Sequence, residues 1–279
     1  MRREPTARQL RLATELRRLR EAADLNSRAA AALLGVSPAQ ITHIESALAG
    51  VSEPRLRRLA SHYACTDAEF VDALVAMATD RTRGWWDEYR GLLPTSFLDL
   101  AELEHHAVFL RDVAILYVPG RLQTEDYARA VLERHVHVTP AEVTDRLAAR
   151  MARQSILYRD NPPMLWVLLD ENVLRREIGN AKIMGEQLRH LAAVAARPKV
   201  TVQLLPGKGA HVGLQGSMHM AETPEACVVN LDDFTDGRTT DSPATVAQAS
   251  ERFDMLRSEA YRASESLAMI ESAAETWTP

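Results

Sequence analysis

Residues 27–46, SRAAAALLGVSPAQITHIES, constrain the fold of this chain more than any other stretch. Ala30, Ala31, Leu34, Val36, Ile41 and Ile44 are apolar at the spacing with which two short helices touch. Gly35 stands between them, where a sharp turn demands a left-handed backbone that glycine adopts at little cost. Ser37 then reads as an N-cap, Pro38 as the first helical residue and Gln40 as the third, the S-x-x-Q pattern of a capping box. A second helix that starts directly after a tight turn presents its end to the major groove of DNA, which is the geometry of a helix-turn-helix.

The charge distribution agrees with that reading although the total does not. The chain carries a net −5, which by itself argues against a nucleic-acid binder. Residues 1–62, however, hold 11 Arg and 6 Asp or Glu, whereas the remainder holds 22 Lys or Arg and 32 acids. A basic head on an acidic body suits a protein that touches double-stranded DNA with one domain only. Hydrophobic residues make up 46% of the 279, enough to predict a packed core rather than disorder. No apolar run reaches bilayer length, and MRREPTARQL lacks the apolar region of a signal peptide, so a cytoplasmic chain without a membrane segment is expected. Cys65 and Cys227 are far apart and form no metal-ligand spacing, as expected of isolated thiols in a reducing compartment.

Periodicity predicts five helices in the head, over 8–22, 27–34, 38–47, 53–64 and 66–81, the last opened by a Thr66–Glu69 capping box. The aromatic stretch WWDEYRGLLP (85–94) reads as the junction. Beyond it helices are expected over 97–112, 124–134, 139–160, about 180–196 and 243–275. Strands are expected over 113–119, 164–170 and 199–206, followed by SMHMAE and ACVVNLD. The predicted architecture is therefore an all-α five-helix DNA-binding domain (1–82), then a mixed α/β (α+β) effector domain with a small sheet (83–279).

Residues 8–75 resemble the Xre-type (lambda-repressor-like) DNA-binding domain. The body resembles the C-terminal domain of actinobacterial antitoxin-like regulators of the Scr group. That second likeness rests on RGWWDEYRGLLP, YVPGRLQTEDYARAVL, RQSIL, PPMLWVLLDENVLRR, MGEQLRHLAAVAARPKVTVQLLP and GAHVGLQG, which follow one another in the family's order. The resemblance implies a transcriptional regulator, commonly encoded beside a small partner protein whose activity it modulates. It also implies that Arg28 occupies a position where relatives contact phosphate, and that Glu45 pairs with an arginine of the first helix, Arg17. The chain departs from many relatives in having His43 at a commonly basic position, and in its polar stretch after Gly216.

The candidate DNA-contacting set is Arg28, Ser37, Ala39, Gln40, Thr42 and His43. On a helical wheel Ile41, Ile44 and Leu48 form the buried stripe of the third helix, with Ala39 and His43 opposite and Gln40 and Thr42 on the flanks. Gln pairs with adenine, Thr and Ala pack on a thymine methyl, and His donates to guanine or phosphate. The plainer alternatives are capping for Gln40 and a solvated surface histidine for His43. Arg11, Arg17, Arg18, Arg55, Arg57 and Arg58 either add phosphate contacts or form a solvated charged face. One such domain covers a half-site, so a homodimer is expected on a near-palindromic operator.

For the body two readings stand: a sensor of a small partner protein or small-molecule ligand, or a small-molecule-binding or catalytic domain beside a vestigial helix-turn-helix. Trp85, Trp86, Tyr89, Tyr117, Tyr127 and Trp166 either line a groove or are core. His105, His106, His135, His137, His211 and His219, with Asp232, Asp233, Asp236 and Asp241, invite acid–base or metal chemistry but match no metal motif. Without a nucleophile elbow, an H-E-x-x-H or a phosphate-binding loop, the expectation is a non-enzyme with no metal and no cofactor.

Overall fold

The computed structural model describes residues 5–80, 84–135, 138–209, 211–224, 226–231 and 238–277. The chain divides into two compact units, Met1–Arg83 and Gly84–Pro279.

The first unit holds five helices: α1 (Ala7–Ala22), α2 (Ser27–Leu34), α3 (Pro38–Glu45), α4 (Glu53–His62) and α5 (Ala68–Thr79). Side-chain caps set most of the starts. Thr6 and Gln9 form a reciprocal capping box, Asn26 accepts the Ala29 amide, and Ser37 accepts the Gln40 amide. Asp67, not the expected Thr66, caps α5 by accepting the Phe70 amide; the carboxylate one residue later reaches that N–H. Gly35 takes φ 72°, the left-handed turn between α2 and α3. Leu16, Ala30, Ala31, Ile41, Ile44, Leu56, Leu59 and Leu74 bury together as the core of this unit. Each large aliphatic among them contributes roughly 1.5–3 kcal/mol of burial. Leu48 does not join them: α3 stops at Glu45, Ala47 takes φ 55°, and the backbone swings Leu48 out to 48% exposure.

The second unit is built on a six-stranded mixed sheet of order β3-β2-β1-β4-β5-β6. Its strands are β1 (Phe109–Ala114), β2 (Met164–Asp170), β3 (Val200–Leu205), β4 (Met218–Glu222), β5 (Cys227–Leu231) and β6 (Arg238–Thr240). β1, β2 and β3 run parallel, and β4, β5 and β6 add as antiparallel neighbours. The remaining helices are α6 (Thr95–His106) before β1, α7 (Glu125–Leu132) and α8 (Pro140–Arg153) between β1 and β2, and α9 (Ala181–Ala195) before β3. α10 (Pro243–Glu259) and α11 (Ala263–Thr276) complete the chain order. Helices cover both faces, so β2 can read as the unbroken apolar run MLWVLLD. Leu165, Val167 and Leu169 enter one core with Leu110, Leu188 and Ile270; Leu168 enters the other with Met220 and Phe253.

Several boundaries differ from those expected. The helix over 97–112 stops at His106, and the strand expected over 113–119 begins at Phe109 and ends at Ala114. Phe109 to Val113 pair with both β2 and β4, and that ladder outweighs the helical spacing of the preceding residues. The helix over 139–160 ends at Arg153 and tightens into a 3₁₀ turn, Gln154–Leu157. The helical end over 243–275 is two helices, because the segment between them closes the β3 edge: the Tyr261 amide donates to Leu204 O at 2.9 Å. The aromatic stretch at 85–94 is no bare junction. Trp86 packs with Leu93, Leu98, Ala101 and Ala149 in a small core of the second unit. β6 lies outside every strand that the sequence predicts.

Candidate nucleic-acid interface

α2 and α3 are held at their turn by packing beneath and by a polar brace above. Arg20 of α1 donates to both carboxylate oxygens of Glu45, at 2.7 and 2.9 Å, and to Leu25 O at 2.6 Å. Both side chains are nearly buried, so the pair staples α1 to the end of α3. The hydrogen bond to Glu45 raises the Arg20 pKa. Burial, with the Glu45 charge, pushes the Tyr63 phenol up to about 12. The expected partner, Arg17, instead bonds Glu21 at 2.8 Å on the solvent side. Arg20 continues the Leu12, Leu16 row at a spacing of four, which is the signal that separates it from Arg17.

Around that frame Arg28, Ser37, Ala39, Gln40, Thr42 and His43 are all exposed, while Ile41 and Ile44 are buried. Ser37 accepts the Gln40 amide at 3.3 Å, but the return bond of a capping box is not formed, so the Gln40 side chain is not spent on the cap. Thr42 donates its hydroxyl proton to Pro38 O at 3.2 Å, leaving its methyl group and oxygen lone pairs outward. Ser46 donates in turn to Thr42 O. All six candidates are thus solvent-exposed, and between them they carry guanidinium, amide, hydroxyl and imidazole groups.

The arginines divide. Arg11 and Arg18 pair with Glu15, Arg17 with Glu21, and Arg57 with Glu53 and Asp72. Among the described residues Arg28, Arg55 and Arg58 carry no ion pair.

The body contains a buried charge network that sequence spacing did not reveal. Arg121 bonds Glu104 and, at 2.5 Å, Asp112; Arg153 bonds Glu104 from α8. His219 of β4 lies opposite Asp112 of β1 in the ladder, its Nδ1 2.6 Å from Asp112 Oδ1. Its Nε2 is 2.9 Å from Glu104 Oε1 but lacks hydrogen-bond alignment. Burial alone would raise both acids. Arg121, Arg153 and His219 outweigh it at Glu104, holding that carboxyl well below the usual range. Arg121 and His219 bring Asp112 down to about 2. Elsewhere His211 Nε2 stands 3.4 Å from Asp170, and its Nδ1 accepts the Gly213 amide. His105 lies against Trp86, with ring centroids 5.0 Å apart. Among the described residues no group of three or more His, Cys, Asp or Glu is placed to hold a metal. His137, Asp232, Asp233 and Asp236 fall outside the described residues. The candidate aromatics do not share one groove: Trp86 and Tyr127 are buried in separate cores, and Trp166 packs edge-on against Phe253 in a third.

An exposed recognition surface on a five-helix head, followed by a mixed-sheet body, defines a helix-turn-helix protein of two domains. Residues 11–74 match the family described as a helix-turn-helix domain. Residues 97–272 match the family described as a domain of unknown function (DUF5753), and the chain belongs to that family. No curated protein and no solved structure matches the chain. Among the described residues no helix is long and apolar enough to cross a membrane.

Proposed function

We propose that the chain is a sequence-specific transcriptional regulator of the Xre type, acting in the cytoplasm as a homodimer. Its body senses a small partner protein or ligand, in the manner of the antitoxin-like actinobacterial regulators it resembles. The observation that carries the DNA-binding reading is the exposed set Ala39, Gln40, Thr42 and His43 on α3, together with exposed Arg28, which has no ion pair among the described residues. Two such heads read two half-sites, and binding at the body alters the spacing of the heads and so the operator affinity. We read the body as non-catalytic and without metal or cofactor. Arg121 and Arg153 neutralise the acids beside His219, which supports a structural network over an acid–base pair. The test is a salt-titrated binding assay on the chain's own upstream DNA against scrambled DNA. Saturable, selective binding is expected. Equal affinity for both duplexes at every salt concentration would overturn the reading and shift the weight to the body.

A further inference from the structure

On the acidic body, among the described residues, three cations gather where no carboxylate pairs with them. The loop between the 3₁₀ turn Gln154–Leu157 and β2 is stapled by three cations that bond only neutral acceptors. Arg159 donates to His105 O at 2.6 Å, to Asn161 O at 2.8 Å and to Ala107 O at 3.4 Å. Arg197 donates to Leu157 O at 3.2 Å and lies 4.4 Å from the Tyr158 ring centroid. Lys199 donates to Asn161 Oδ1 at 2.7 Å and to Pro162 O at 3.1 Å. Among the described residues none of the three forms an ion pair, although exposed Asp160 is close in sequence. Burial alone pushes the Arg159 guanidinium down, with no carboxylate offsetting it.

Apolar side chains stand out of the same end of the sheet. Val108 is 52% exposed and Met164 51%, and they are neighbours, since the Met164 amide donates to Val108 O at 3.0 Å. Tyr158, 52% exposed, lies on the loop that leads into Met164. Isolated apolar residues on a surface are ordinary; a set of them framed by unpaired cations is an interaction surface.

We propose that this patch, at the amino ends of β1 and β2, docks an acidic protein segment whose aliphatic side chains cover Val108, Tyr158 and Met164 while its carboxylates meet Arg159, Arg197 and Lys199. This rests on the reading of the body as a partner sensor. The cations alone would suit a phosphate backbone equally well. The apolar trio decides for protein, because phosphates give it nothing to bury against.

The test is equilibrium binding of the full chain to a synthetic peptide of alternating glutamate and leucine residues, across a salt series. Wild type is compared with Arg197→Glu, Arg197→Lys and Met164→Ser, with folding checked by circular dichroism. The expected result is wild-type binding that weakens with salt, a loss of about tenfold in Arg197→Glu, retention in Arg197→Lys, and weaker binding with an unchanged salt slope in Met164→Ser. If Arg197→Glu disturbs the loop, Met164→Ser alone decides, since that side chain is exposed. Wild-type binding untouched by all three variants would overturn the docking surface and leave partner sensing standing. Absence of wild-type binding would overturn the docking surface as well. Variants that lower self-association or DNA affinity instead would assign the patch to a second copy or to phosphate, and overturn it as stated.

Discussion

Arg20 and Glu45 show how one buried pair sets the pose of a recognition helix. Both side chains are nearly buried, so Glu45→Gln should destabilise the isolated head by about 3 kcal/mol in a urea titration followed by circular dichroism. A cost near zero would mean that packing alone fixes α3. His43 is exposed and has no partner among the described residues, so His43→Ala should leave the fold intact and weaken operator binding by about tenfold, the worth of one base-edge contact. An equal loss on every duplex would restrict His43 to phosphate. In the body, the Asp112 carboxyl sits near 2 against an ordinary value of 3.8. Its stabilisation, about 2 kcal/mol, is fully present above the ordinary carboxylate range and is lost as pH falls toward 2. Acid titration of tryptophan fluorescence should therefore show the body loosening below about pH 4, and Asp112→Asn should flatten that dependence. Tryptophan is a clean reporter here because Trp85, Trp86, Trp166 and Trp277 all belong to the second unit.

At the scale of elements, local signals decided starts better than ends. Ser37, Thr139 and Asn180 each accept an amide three residues on, and α3, α8 and α9 begin where those residues stand. Ends were set by partners far along the chain. α6 yields to β1 because two strands are waiting to pair with it, and the break between α10 and α11 exists because Tyr261 is drawn to the β3 edge. Ser266 of α11 is fully buried and accepts the Leu204 amide at 2.9 Å. Ser266→Ala leaves that edge N–H without an acceptor and should cost about 1–2 kcal/mol in denaturant unfolding of the body. An unchanged midpoint would mean that another acceptor takes over.

At the scale of the whole molecule, the five-helix head closes its hydrophobic core with its own residues, from Leu12 to Ala78. A fragment of residues 1–83 should accordingly fold alone, with cooperative unfolding and helical circular dichroism. It should also bind operator more weakly than the full chain, because separate heads lose the simultaneous engagement of two half-sites that the proposed homodimer provides. Non-cooperative melting of that fragment would show that the head depends on the body. The charge split belongs to this scale too: the fragment's affinity should fall steeply with salt, as the basic face displaces counterions.

The sequence by itself determined the helix-turn-helix, since its apolar spacing, left-handed glycine and N-cap are local features written within twenty consecutive residues. It also determined β2, whose apolar run allows little but a strand covered on both faces. The row Leu12, Leu16, Arg20 marks the inner face of α1, but only the tertiary structure brought Glu45 against that face, because the pair joins two helices 25 residues apart. Likewise, Glu104, Asp112, Arg121, Arg153 and His219 come from five elements, and no spacing along the chain announces a contact that exists only after those elements pack. Local structure follows from near neighbours; ion pairs buried in a core follow from the fold that brings distant ones together.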